Sequence, residues 1–575
     1  MSQLILGVHA GSHDTSVVLF EDYKLKAAVQ LERLTRIKGD RSDFPDNCID
    51  EVLSIVGASR SDVGALAISR RYFPNELFRC SGPLSHLAQW ARTHVRRKMT
   101  RNLSREIRIR HADRTEDILD THALLAHAGL RSDASVHFYN HHEAHALPAL
   151  FYTDWNDALL VTADGGGDNV NYSHRHFAEG KLTTLYGGDD HKHTPLPIDS
   201  LGTLYGAVTE VLGFRPNRHE GKVTGLAAMG QPVLYDEIAS HYSVDDHGRI
   251  HSDFRNHRAM LAFVRGIIPG VSREDAAASV QKTVEDFMLL SARRLLDRHP
   301  ARHLGLSGGL FANVKLNRLL AETMSIDEVF VVPAMGDDGL GAGGALAYLL
   351  RRDGIEHWLG QRYRLDDVYL GRDFSATIDS VLGSIADVVR EDGSTVEQAA
   401  SRLAAGQIGA IYTARMEYGP RALGARSILA NPARRVTHDL LNQRLDRTEF
   451  MPFAPVVVAE RAATVFDVSS LNAYACRFMT ITCNVRAEWR ERIPAVVHVD
   501  GSARPQVIER RTNPLYYDIL VSFERLTGLP VLVNTSFNVH EEPIVNSPAE
   551  CAKTLIDRRI DFVVTDKALY RLASN

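Results

Sequence analysis

Short apolar runs alternate with glycine- and aspartate-rich breaks, and one such pattern occurs twice. Residues 4–8 read as a buried strand. The loop Ala10-Gly11-Ser12-His13-Asp14 follows, then a strand over 15–20, a turn at Glu21-Asp22-Tyr23 and a strand over 25–29. The scheme returns at 159–163, with the loop Asp164-Gly165-Gly166-Gly167-Asp168, strands over 170–177 and 182–186, and the turn Ala178-Glu179-Gly180-Lys181 between them. Two meanders in one order predict an internal duplication. Further on, residues 272–299 carry Val280, Val284, Phe287 and Met288 at helical spacing. Strands over 303–306 and 329–332 each run into a glycine-bearing turn, Ser307-Gly308-Gly309 and Gly336-Asp337-Asp338-Gly339, and then into helix.

Between the two meanders, residues 92–110 hold eight basic residues, with Val95, Met99, Leu103 and Ile107 at four-residue steps. This predicts one basic amphipathic helix. Arg33 and Arg36 read as a solvated helix start, and His174, His176, His191 and His193 as surface histidines. The polar break Arg351-Arg352-Asp353-Gly354 divides the chain. The expected organisation is a domain over 1–355, a linker over 356–370 and a second domain over 371–575.

Composition narrows the class. The chain has 575 residues, 44% hydrophobic and 24% charged, as in ordinary globular proteins. A net charge of -5 argues against a dedicated nucleic-acid binder. Five scattered cysteines without a CxxC pair suit a reducing cytoplasm. No run approaches the roughly 18 apolar residues of a transmembrane segment. The expectation is a cytoplasmic protein, with oligomeric state open and a homodimer one option.

Candidate chemistry centres on Asn140-His141-His142-Glu143-Ala144-His145, which ends a strand and opens a helix. His141 and His145, four apart, share one helix face, the spacing two imidazoles need to hold one metal ion. Asp164 and Asp337 are strand-end carboxylates beside glycines, donors for a hard cation. Gly308 and Gly309 let a ring or phosphate approach the backbone. Gly221-Lys222 at a helix start is a weaker phosphate contact. In the second domain, loops at strand ends combine Arg with Gly, Ser, Thr or Asn, the chemistry of phosphate oxygens.

Together these motifs carry a resemblance. HDTS at His13, ERLTRIK ending at Lys38, NHHEAHA, ADGGGD, EGKVTGLA, LSGGLFAN, GDDGL, RMEYGPRALGARSILANP, HVDGSARPQ and NTSFN stand in one order over nearly the whole chain. The sequence resembles the O-carbamoyltransferases of the nodulation-factor and antibiotic-tailoring type. The resemblance implies an α/β protein: an actin-like (ASKHA) ATPase domain similar to the tRNA threonylcarbamoyl transferase domain, then an α/β domain similar to threonylcarbamoyl-adenylate synthase. It implies that carbamoyl phosphate and ATP give carbamoyl adenylate, whose carbamoyl group passes to a hydroxyl of a sugar or natural-product acceptor. A tRNA threonylcarbamoyladenosine-type reaction is the alternative. By motif match, His141, His145, Asp164 and Asp337 would hold a divalent metal, iron first, magnesium or manganese as substitutes. His13 would be the base, with Lys38 beside it. Gly308, Gly309 and Asn313 would line the adenylate, and Arg421, Arg504, Asn534 and Ser536 would hold ATP or carbamoyl phosphate. The chain departs from the family where Asp446 and Met451 replace a Lys and an Arg, and Arg444 and Arg447 are candidates to supply that charge.

Overall fold

Apolar residues over 4–30 fold into three strands, β1 (Leu4–His9), β2 (Ser16–Glu21) and β3 (Lys24–Gln30). The computed structural model describes every residue except 1, 12, 81, 83–86, 88, 91–92, 95–96, 98, 449 and 574–575. Strands β4 (Val63–Ser69) and β5 (Ser135–Tyr139) complete a sheet of order β3-β2-β1-β4-β5. β1 to β3 pair antiparallel, whereas β1, β4 and β5 run parallel. β1 and β2 are buried almost throughout, as their unbroken Leu, Ile, Val and Phe content requires of strands covered on both faces.

The second meander forms β6 (Asp157–Gly167), β7 (Val170–Ala178) and β8 (Lys181–Tyr186), both pairs antiparallel. With β9 (His303–Ser307) its order is β8-β7-β6-β9, repeating the first four strands of the other sheet. The duplication is thus one of topology, and the protein is an α/β protein of the actin-like plan.

Two compact units divide the chain. The first comprises Met1–Gly202, Gly305–Leu310 and Ala334–Arg364; the second comprises Thr203–Leu304, Phe311–Pro333 and Leu365–Asn575. In the first, the small residues of the helix Leu340–Asp353 admit close packing. A Cβ on Gly343 would lie 1.7 Å from the Ala144 carbonyl oxygen. Gly343→Val is therefore expected to push this helix off its neighbour and cost about 2–3 kcal/mol. Urea unfolding checks this, and an unchanged midpoint would contradict so close an approach.

The second unit holds an eight-stranded sheet whose central strands are β10 (Gly409–Tyr412), β11 (Arg426–Ala430), β12 (Ala454–Val458) and β13 (Val531–Ser536). They run antiparallel in the order β10-β11-β13-β12.

Three local expectations are corrected. The basic segment is not one helix: Thr100–Asn102 pairs as a strand with Tyr72–Pro74, and helix α1 spans only Leu103–Arg110. Arg92, Val95, Arg96 and Lys98 lie outside the described residues, as do Ser12 and Glu449. Arg33 is buried and pairs with Glu32 at 2.5 Å. His174 is buried, since β7 is covered along most of its length. Among the described residues, no helix is long and apolar enough to cross a membrane.

Candidate metal centre

Helix α2 (His141–Phe151) begins directly at the end of β5. Asn140 caps it, its side-chain oxygen accepting the Glu143 N–H at 2.9 Å. Asp168 accepts the His141 N–H at 2.8 Å, so two acceptors serve the orphan donors of the first turn. One turn apart, His141 and His145 bring their ring centroids to 4.8 Å. Gly167 makes room: a Cβ there would lie 2.2 Å from His141 Cγ.

Asp164 lies in the last part of β6 and Asp337 opens the turn before helix Leu340–Asp353, and both carboxylates meet these imidazoles. His145 Nε2 stands 3.1 Å from Asp164 Oδ2 and 3.5 Å from Asp337 Oδ1. His141 Nε2 stands 3.7 and 3.6 Å from the same two atoms. One donor atom from each of the four lies within 4.8 Å of the others. His141 Nε2 and Asp337 Oδ1 are buried and make no hydrogen bond. Orphaned buried nitrogen and oxygen donors around one point fit a divalent cation.

The electrostatics agree. Burial opposes the charge on Asp164 and Asp337, yet both carboxyls sit well below the usual carboxylate range beside the imidazoles. Burial likewise works against protonated His145, but the two carboxylates outweigh it and raise the imidazole to about 9.

Three more side chains ring the cluster. His13 Nε2 lies 3.8 Å from Asp337 Oδ2, and its Nδ1 lies 2.9 Å from Asp14, a hydrogen bond that raises the imidazole to about 9. Arg71 reaches Asp337 Oδ2 at 3.3 Å, His141 Nδ1 at 3.2 Å and the Gly166 carbonyl at 3.3 Å. His9 Nε2 is 3.6 Å from Asp337 Oδ2, and burial lowers this ring to about 3. Sequence reasoning missed Arg71 and His9. Lys38 sits in the loop whose Gly39 and Asp40 carbonyls accept the N–H groups of Asp14 and Thr15.

The other expected residues fall as follows. Gly308 and Gly309 leave β9 in the first unit, the Gly309 N–H 3.4 Å from Asp164 Oδ2. Asn313 belongs to the second unit, where it donates to Gln281 at 2.8 Å and caps helix Val314–Thr323. Arg421 donates to the Ala312 carbonyl at 3.5 Å, and Arg504 lies between the strands Ser502–Ala503 and Gln506–Ile508. Buried Asn534 donates to the Ala422 carbonyl at 3.0 Å and to Gln506 at 2.7 Å. Arg447 donates to Thr535 Oγ1 at 2.7 Å, the Ser536 carbonyl at 2.8 Å and Asn538 Oδ1 at 2.7 Å.

Behind the cluster, Asp189 accepts from Arg70 at 2.6 and 2.9 Å and from the capping Asn140 at 3.0 Å. Burial opposes its charge, but the Arg70 bonds win and hold the carboxyl below its ordinary range. Its stabilisation is therefore complete above the unfolded value near 4 and lost as pH falls toward the depressed folded value. Asp189→Asn should cost about 1–2 kcal/mol at neutral pH, the low end because Asp189 is half-exposed. Thermal unfolding should show that cost shrinking in acid; a pH-independent cost would contradict the ionic origin.

An α/β fold with duplicated topology, carrying a buried imidazole–carboxylate cluster at one set of strand ends, defines the class of protein. A family model described as carbamoyltransferase N-terminus matches residues 4–346, and one described as carbamoyltransferase C-terminus matches residues 400–571. The chain belongs to the carbamoyltransferase family. It is 32% identical to the nodulation protein NolNO of Sinorhizobium fredii, over 97% of this chain and 79% of that protein. It is 33% identical to the nodulation protein NolO of Bradyrhizobium diazoefficiens, over 75% of this chain and 78% of that one. Component A of the Acidaminococcus fermentans (R)-2-hydroxyglutaryl-CoA dehydratase, a solved structure, aligns with TM-score 0.34 and 13% identity over 62% of this chain and 99% of its own. Family membership makes the protein a transferase with a carbamoyl donor and an acceptor.

Proposed function

We propose that the protein is an ATP-dependent O-carbamoyltransferase of the cytoplasm. Carbamoyl phosphate and ATP give carbamoyl adenylate, with inorganic phosphate leaving from the first and pyrophosphate from the second. The carbamoyl group then passes to a hydroxyl of a sugar or natural-product acceptor, and AMP leaves. Residues 371–575 form the adenylate, residues 1–355 transfer the carbamoyl group, and residues 356–370 join them. The observation that carries the reading is the convergence of His141, His145, Asp164 and Asp337, with two orphaned buried donors, beside His13.

These four would hold a divalent ion, iron first and magnesium or manganese as substitutes. Such an ion supplies charge stabilisation to a phosphate leaving group. The chain's own residues do the rest. His13, in the neutral form that a value raised to about 9 makes the minor one at neutral pH, takes the proton from the acceptor hydroxyl at Nε2, while Asp14 holds the ring through Nδ1. Arg71 keeps Asp337 and the His141 ring in register. Lys38 sits beside the base, and Gly308, Gly309 and Asn313 receive the adenylate. Arg421, Arg447, Arg504, Asn534 and Ser536 serve ATP and carbamoyl phosphate.

The test is release of pyrophosphate from ATP. It should require carbamoyl phosphate, and a hydroxyl acceptor should then gain the mass of one carbamoyl group. Release that instead requires threonine, bicarbonate and tRNA would replace this reading with the tRNA-modifying one.

A further inference from the structure

Glu541 has φ at 62°, in the left-handed region that strains any residue with a Cβ. It stands at the tip of a compact loop that follows β13. The Val545 N–H donates to the Phe537 carbonyl at 2.8 Å and closes that loop at its base. Inside it, Asn538 Nδ2 donates to the Glu542 carbonyl at 2.6 Å. Glycine would hold such a tip without strain, so the Glu541 side chain must offset what its backbone loses.

The offset is a bond to a distant segment of the second unit. Glu541 Oε1 accepts from His219 Nε2 at 2.7 Å, across 322 residues of sequence. His219 directly precedes helix α3 (Glu220–Ala227), and its carbonyl accepts the Lys222 N–H at 2.9 Å. Its ring is fixed as well, because the Arg215 N–H donates to Nδ1 at 3.2 Å. With Nδ1 an acceptor, the ring carries its proton on Nε2 and gives it to Glu541. His219, His540 and Glu541 stand close enough to share a cation, but an ion at Nε2 would displace that proton, so the join is a hydrogen bond.

The loop is thus anchored twice. At its root, Arg447 donates to the Ser536 carbonyl at 2.8 Å, to Ser536 Oγ at 3.2 Å and to Asn538 Oδ1 at 2.7 Å. At its tip, Glu541 ties it to the rigid start of α3. We infer that Glu541 is a positioning residue for the donor half-reaction: clamped by His219, it holds the loop after β13 in the shape that lets Ser536 meet a substrate phosphoryl group. The inference rests on the function proposed above, which gives Ser536 to ATP and carbamoyl phosphate.

Two measurements on the full chain test it. Glu541→Gly frees the backbone and removes the clamp. Amide hydrogen exchange over residues 537–545 should then quicken by about tenfold, the loss of a charged hydrogen bond, while β13 keeps its protection. In the pyrophosphate assay, the KM for carbamoyl phosphate or for ATP should rise by about threefold to tenfold with kcat kept, as when binding alone is weakened. Glu541→Gln retains an acceptor for the His219 proton and should keep the wild-type KM. His219→Ala should raise KM as Glu541→Gly does, and the double variant should go no further, because both remove one interaction. If wild type releases no pyrophosphate, the proposed function fails, and exchange over 537–545 still decides the clamp. Unchanged exchange or unchanged KM in Glu541→Gly overturns the inference. So do effects of the two substitutions that add, or a Glu541→Gln protein that behaves like Glu541→Gly.

Discussion

Replacing His145 with alanine will reduce bound divalent metal from about one ion per chain to background and abolish carbamoyl transfer. The reason is geometric. His145 makes the shortest contact in the cluster, 3.1 Å to Asp164, and also reaches Asp337 at 3.5 Å. No neighbouring donor can replace it: His142 Nδ1 lies 2.8 Å from Thr162 Oγ1 and its Nε2 3.2 Å from the Val170 carbonyl, and burial pushes its pKa far down. Three of four donors remain, a set that holds metals less tightly and leaves two buried carboxylates facing one imidazole. The metal-free variant should also lose about 2–4 kcal/mol of stability, because removing one member of a buried charge cluster strands the others. Metal analysis of the purified variant and denaturant unfolding measure the two effects separately. Full metal content in the variant would remove this cluster from the mechanism.

The sequence made some of this legible and hid the rest for physical reasons. A strand-to-helix junction with histidines four apart is a local signal, because helix geometry alone puts both rings on one face. Asp164 and Asp337 stood out because each ends an apolar run beside glycines, and the repeated meander told which runs were strands. Arg71 and His9 left no such mark. Arg71 is one of two arginines after β4, and its role comes only from the parallel pairing that sets β4 between β1 and β5. His9 sits at the end of an apolar strand and matters only because Asp337, 328 residues away (337 minus 9), packs against it. The basic segment failed as one helix because a pairing with Tyr72–Pro74 captured Thr100–Asn102, a tertiary contact that overrode helical spacing. Asp189 drew no notice in the sequence, yet it ties Arg70 to the cap of α2.

His13→Ala is expected to separate the two half-reactions. Carbamoyl adenylate should form at the wild-type rate, since that step is assigned to residues 371–575. Transfer to the hydroxyl should fall by roughly 10²–10⁴-fold, the usual worth of a positioned general base. His13 suits that part by its position, since its ring is partly exposed and open to a substrate, whereas His9 is buried. Its ring is oriented from behind by Asp14, which leaves Nε2 facing the cluster at 3.8 Å from Asp337. A side chain that merely props the loop would not be replaced by a small molecule. Added imidazole should therefore restore part of the transfer rate to His13→Ala, with no effect on pyrophosphate release. Loss of both half-reactions together, or transfer left within tenfold of wild type, would mean that another group takes the proton. Arg71 would not qualify, because a guanidinium stays protonated throughout this range and can only donate. That leaves Lys38, in the loop hydrogen-bonded to the His13–Asp14 turn, as the next residue to replace.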